Sequence, residues 1–192
     1  MDSKGSVTVI AGCMYAGKSE ALLHRLRRVQ LAKKPFLLFK PSIDDRYSKT
    51  EVVSHSGYRM EAHSILPGAK GSMDEHEAIL SLWHEKDCPR VVGFDEAQFF
   101  NALHAPVESL VAKGVHVTLA GLDLDYRGYP FLDPVFFSVA EEVIKLTAVC
   151  MTCGHPASRT QRVSGGESLV EVGGTGHYEA RCRTHWTGKT TG

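Results

Sequence analysis

Hydrophobic positions in the first three quarters of the chain follow two alternating rhythms. Short apolar runs rich in β-branched residues give way to longer stretches where apolar side chains recur every three or four positions. "VTVIA" (7–11) is short, β-branched and closed by a glycine, which predicts a buried strand. Leu22, Leu23, Leu26 and Val29 then share one face of a helix over 18–33. "PFLLF" (35–39) predicts a second strand, and Ala78, Ile79, Leu82 and Trp83 mark the inner face of a helix over 74–85. "RVVGFDE" (90–96) is a third strand that ends in two acids. Leu103, Val107, Leu110 and Val111 define a further helix that Gly114 can close. "VHVTLAG" (115–121) and "VIKLTAV" (143–149) complete the strands. This alternation predicts an α/β fold with a mostly parallel sheet covered by helices on both faces.

Two segments break the rhythm. Residues 41–73 are polar and glycine-rich, with "EVVSHSGYRMEA" able to form a β-hairpin. From Cys150 the chain turns glycine-rich and strand-like, without helical period. The expected organisation is therefore a nucleotide-binding α/β domain over 1–149, a small β domain over 150–186 and a disordered tail over 187–192.

Composition narrows the function classes. Lys+Arg and Asp+Glu both count 22, so the formal charge is zero and the basic excess usual in nucleic-acid-tracking proteins is missing. No apolar run approaches the ~18 residues of a membrane span, and polar "MDSKGS" runs straight into the first strand, which predicts no leader peptide and a cytoplasmic protein.

The strongest chemical signal is Gly12-Cys13-Met14-Tyr15-Ala16-Gly17-Lys18-Ser19, a full G-x-x-x-x-G-K-[ST] match between a predicted strand and a predicted helix. Its glycines let backbone N–H groups converge on phosphate oxygens, and the helix adds its positive end. Lys18 is expected to reach the β- and γ-phosphates of a nucleotide, and the Ser19 hydroxyl to ligate Mg²⁺. Cys13 reads as a small side chain filling a tight loop.

Asp95 and Glu96 stand at the C-terminal end of a predicted strand, where open α/β sheets bind ligands. Asp95 fits an Mg²⁺-holding role, and Glu96 fits a base that takes a proton from the attacking group. Many ATPases carry such a pair, so it does not separate kinase from hydrolase. Phe99, Phe100, Tyr126 and Phe131 follow strand ends and could line an apolar slot for a nucleobase, although core packing explains them equally well.

Cys150-x-x-Cys153 and Cys182-x-x-His185 form two ligand pairs suited to a closed, structural tetrahedral Zn²⁺ site. His155 and His177 are rival ligands at poorer spacing, and Cys88 falls outside the pattern.

Taken together, "GCMYAGKSE", "KPSIDDRYS", "VVSHSG", "DEAQFF", "GLDLDYRGYPF", "KLTAVCMTCG", "ASRTQR" and "VGGTGHYEARCRTH" resemble, in order, the elements of the zinc-containing, cytosolic-type (type II) thymidine kinases. The resemblance runs from Val7 to Trp186. It implies a P-loop NTPase-like fold with a zinc-ribbon-like appendage and ATP-dependent phosphorylation of the thymidine 5′-hydroxyl. By the same resemblance Glu96 is the general base, Lys18 the phosphate lysine, and Asp44 and Arg46 lie near the metal and the transferred phosphate. Met14, Phe99, Leu122, Tyr126, Phe131 and Tyr178 match positions around the thymine. A loop over 163–178, including Val172 and Gly173, would close over the base and read it through main-chain groups. The family also implies a homotetramer and feedback inhibition by thymidine triphosphate. Cys13, Tyr15, Ala16, Ser56 and Tyr126 depart from its commonest residues. The rival readings are a P-loop ATPase or nucleotide switch whose zinc domain contacts nucleic acid or protein, and a kinase for another nucleoside.

Overall fold

The computed structural model describes residues 4–42, 50–53, 57–66, 74–164 and 176–188. Strand β1 (Ser6–Gly12) leads through the glycine loop into helix α1 (Lys18–Leu31), followed by β2 (Leu37–Pro41). The hairpin is present as β3 (Glu51–Val53) antiparallel to β4 (Arg59–Glu61), with Val52 opposite Met60. Next come β5 (His63–Ile65), α2 (Glu75–Glu85), β6 (Val91–Phe94), a 3₁₀ turn at Ala97–Phe99, α3 (His104–Ala112) and β7 (His116–Leu122). Helix α4 (Val135–Val139) and β8 (Glu142–Leu146) finish the main layer. The remainder is β9 (Ala148–Val149), β10 (Pro156–Ala157), β11 (Arg159–Arg162) and β12 (Tyr178–Arg181).

Six strands form the central sheet in the order β5-β2-β6-β7-β1-β8. Each of its neighbouring pairs is parallel. Parallel strands need both faces covered, and the side chains alternate accordingly. Val7, Val9 and Ala11 of β1 point into a core shared with α2, α3 and α4, among them Ile79, Trp83, Val107, Leu110 and Phe136. Ile10, Leu38 and Ala120 point to the opposite face, where Leu22, Leu23 and Leu26 of α1 and Val52 and Met60 of the hairpin cover them. Fully burying each of those leucines contributes about 1.5–3 kcal/mol.

Three elements depart from expectation. The run 143–149 is not one strand: β8 stays in the central sheet beside β1, whereas β9 pairs antiparallel with β10. The strand-like run 143–149 carries no glycine or proline to mark the point at which its pairing partner changes. β5 lies inside the polar, glycine-rich segment 41–73, for which only a hairpin is expected, as a three-residue edge strand too short for a periodic signal. α4, five residues long, is equally below the length at which helical spacing declares itself. In the expected disordered tail, Thr187 is held by its N–H and hydroxyl to Gln161 Oε1 at 2.9 and 3.2 Å; residues 189–192 lie outside the described residues. No helix among the described residues is long and apolar enough to cross a membrane.

Candidate active site

The glycine loop takes the shape its sequence demands. Gly17 has φ 80°, a left-handed conformation that glycine adopts without cost, and Tyr15 enters the same region at φ 66°. At Gly12 a Cβ would lie 2.5 Å from the Leu146 carbonyl oxygen, so β8 passes too close for a side chain. α1 begins at Lys18, directing its N-terminal end at the loop. Lys18 Nζ donates to the Cys13 carbonyl at 2.8 Å, folding the ammonium over the loop. Burial pushes that ammonium below the ordinary lysine value, while Glu96, Cys13, Asp95 and Asp123 pull it back up.

Asp95 follows the end of β6 and its N–H donates to the Phe39 carbonyl at 2.9 Å. Ser19 Oγ donates to Asp95 Oδ1 at 2.9 Å, across 76 positions of sequence. A hydroxyl and a buried carboxylate so joined are oxygen donors of the kind that hold Mg²⁺. Glu96 adopts φ 48° and ψ 44°, turning sharply out of the strand direction. Its carboxylate accepts from Gln98 Nε2, and Gln98 Oε1 accepts from the Leu122 N–H at 2.9 Å.

The aromatic residues gather at the same sheet ends. Phe99 and Phe131 meet edge-to-face at 5.4 Å. Arg162 is fully buried, with its guanidinium 5.0 Å from the Tyr126 ring centre and 5.7 Å from that of Tyr178. Tyr126 and Tyr178 are therefore joined through a cation, a connection the sequence did not announce. The Tyr15 hydroxyl donates to the Tyr178 carbonyl at 3.1 Å, and Met14 N–H to Thr160 Oγ1 at 3.1 Å. The Cys13 thiol donates to the Ala157 carbonyl at 3.3 Å; burial pushes it up, so it stays protonated, in keeping with a packing role. The phosphate loop is thus bonded to β10, β11 and the start of β12.

Three contributors escaped the sequence reading. Asp123, just beyond β7, is 5% exposed and pairs with Lys145 of β8 at 2.9 Å, spanning β1 next to the loop. Gln98 sits in the 3₁₀ turn between the acid pair and the aromatic residues. Glu75, 1% exposed in the first turn of α2, accepts from the N–H groups of Asn101 and Ala102 at 3.1 and 3.3 Å and so fixes the chain beyond Phe100. The signal available for Gln98 and Asp123 was closeness to strand ends; Glu75 carried none. Asp44, Arg46, Val172 and Gly173 lie outside the described residues.

Cys150, Cys153, Cys182 and His185 bring their ligand atoms within 4.8 Å of one another. Tetrahedral zinc with bonds of about 2.3 Å to sulfur puts two sulfurs about 3.8 Å apart. Cys153 and Cys182 Sγ stand at 3.8 Å, and His185 Nδ1 lies 3.3 Å from Cys182 Sγ and 3.8 Å from Cys150 Sγ. Desolvation opposes ionisation of Cys150, yet backbone N–H groups of Cys182, Thr152 and Cys153, with His185, bring its thiol down to about 5. The donor set fits a closed metal site. Neither rival belongs to this cluster among the described residues, and His177 Nδ1 bonds Ser164 Oγ at 2.8 Å instead.

A phosphate loop, a Ser–carboxylate pair beside it, a second carboxylate and an aromatic cluster therefore converge at the carboxyl ends of one parallel sheet. The family model described as thymidine kinase matches residues 5–186. The chain belongs to the thymidine kinase family and is an ATP-dependent nucleoside kinase.

Proposed function

We propose that the chain is a cytosolic-type, zinc-containing thymidine kinase that phosphorylates the 5′-hydroxyl of thymidine, and of deoxyuridine, to the monophosphate. In this reading residues 1–149 are a P-loop NTPase-like domain, and 150–186 a zinc-ribbon-like domain that contributes the nucleoside-covering loop. The observation that carries it is the Ser19–Asp95 contact set beside Glu96 and the Phe99–Phe131 pair. An ATPase requires the first of these features and has no use for an apolar slot next to the second carboxylate.

The loop amides and Lys18 bind the triphosphate, whose oxygens would replace the Cys13 carbonyl as acceptors for the ammonium. Ser19 and Asp95 would hold Mg²⁺, which when bound neutralises charge on the phosphate oxygens. Arg46 and Asp44 would complete the surroundings of the transferred group. Glu96 takes the proton of the 5′-hydroxyl as the oxygen attacks the γ-phosphorus in line, while the bond from that phosphorus to the bridging β-phosphate oxygen breaks and ADP leaves. Met14, Phe99, Leu122, Tyr126, Phe131 and Tyr178 enclose the base, with Val172 and Gly173 covering it. Cys150, Cys153, Cys182 and His185 would hold Zn²⁺ structurally, leaving no ligand position for chemistry. A cytoplasmic homotetramer, inhibited by thymidine triphosphate, completes the proposal.

The test is transfer of labelled γ-phosphate from ATP to a panel of nucleosides, with and without Mg²⁺. Metal-dependent labelling of thymidine, alone or with deoxyuridine, is the expected outcome. Label on another nucleoside would redirect the substrate assignment, and label released only as free phosphate would replace it with an ATPase.

A further inference from the structure

We infer that Gln98 is the positioning residue of the Glu96 carboxylate, tying it to the end of β7; this rests on the reading of Glu96 as general base. Glu96 has a left-handed backbone, so no regular element delivers its side chain. Support has to come from side-chain contact, and Gln98 supplies it. The Gln98 residue is 8% exposed and bonded at both ends of its amide. The Leu122 N–H is a backbone donor with a fixed direction, so it dictates that the amide presents its oxygen there. The NH₂ group then faces Glu96 and donates to Oε2. One buried amide thus links the carboxylate to the residue that lies against the proposed base slot.

The third party is Gly121. A Cβ on this residue would lie 2.8 Å from Gln98 Oε1 and 3.4 Å from its backbone nitrogen. Bare backbone at 121 is what allows the amide to seat behind the carboxylate. A donor aimed at a carboxylate favours its ionised form, as does the Lys18 ammonium that faces Glu96 from the start of α1, and the ionised form is the one that can accept a proton. A second carboxylate in that place would do the opposite, since like charges at contact cannot both ionise freely.

The experiment compares the wild-type chain with Gln98→Met, Gln98→Glu, Gly121→Ala and Glu96→Gln. Turnover, KM for ATP and nucleoside, the pH profile of kcat/KM and the thermal midpoint are measured for each. Both Gln98 variants should lose roughly 10- to 100-fold in kcat, the scale of a misplaced catalytic group, with KM for ATP held. Their acid limb should move to higher pH, furthest in Gln98→Glu. Gly121→Ala should show the same shift more weakly, although it removes no polar group. A folded Gln98→Glu enzyme with the wild-type kcat and acid limb overturns the inference while leaving the base intact. That isosteric variant alone decides the question if Gln98→Met does not fold. Wild-type turnover in Glu96→Gln overturns the base reading instead, and Gln98's role with it.

Discussion

Glu96 combines a backbone at φ 48° with a carboxylate among neighbours that include Lys18. Replacing it with glutamine keeps the shape and removes the basicity. Turnover should fall by about 10²–10⁴, the usual contribution of a positioned base, while ATP binding stays near wild type. Steady-state kinetics with a nucleotide-binding titration checks both halves. Glu75 presents a different electrostatic case. Burial holds its carboxyl above the ordinary value, with the Asn101 and Ala102 N–H groups only partly offsetting this. A carboxyl whose pKa is raised on folding binds its proton more tightly in the native state, so its contribution to stability declines as pH rises from the unfolded value through the folded one. Glu75→Gln should remove that decline. The gap in thermal midpoint between the two proteins should therefore shift in the variant's favour as pH rises above the unfolded carboxyl value of about 4.3. Of these two residues, Glu96 was legible because it ends an apolar run next to another acid. Glu75 looked like any polar residue in a helix's first turn, and only the fold brings two N–H groups to it.

At the scale of elements, α1 joins stability to chemistry, because its first residues are Lys18 and Ser19 and its inner face is Leu22, Leu23 and Leu26. Gly93 of β6 lets these leucines approach: a Cβ there would stand 3.0 Å from Leu26 Cδ1 and 3.1 Å from Leu22 Cδ1. Leu26→Ala should cost about 2–5 kcal/mol, the range for a fully buried leucine. Denaturant unfolding would measure that loss, and a raised KM for ATP should accompany it as the helix loosens behind the loop. Wild-type stability would mean that the helix is not seated by this face. The helical rhythm made α1 readable to within two residues at its end. β5 and α4 were not readable, since three and five residues complete too little of any period.

For the whole molecule, the feature of most consequence is the set of bonds from the phosphate loop to the C-terminal strands. Cys13 reaches Ala157, Met14 reaches Thr160 and Tyr15 reaches Tyr178. The Cys/His cluster lies next to those strands, with Ala148, Cys150, Ala157 and Ala180 forming one small core with Cys13. So little apolar surface gives that unit limited stability of its own, and a metal would supply the remainder. Chelation, or Cys150→Ser, should release zinc and expose the C-terminal segment to limited proteolysis. It should also raise KM for ATP through the three bonds. Metal analysis, proteolysis and kinetics on one preparation would check this; a metal-free chain with native protease resistance would count against a structural role.

The sequence by itself determined the periodic elements, the glycine loop, the acid pair and the two Cys/His pairs that the fold gathers into one cluster, because each is written in neighbouring residues. Local spacing is enough to specify a helix face, a tight turn or a ligand pair. Tertiary structure alone decided what crosses long stretches of chain: Ser19 with Asp95, Asp123 with Lys145, Gln98 with Leu122, and Arg162 between Tyr126 and Tyr178. It also decided where the last apolar run changes sheets, between β8 and β9. Such contacts depend on strand order and register, which no single segment encodes. They are fixed only when both faces of the parallel sheet are buried together.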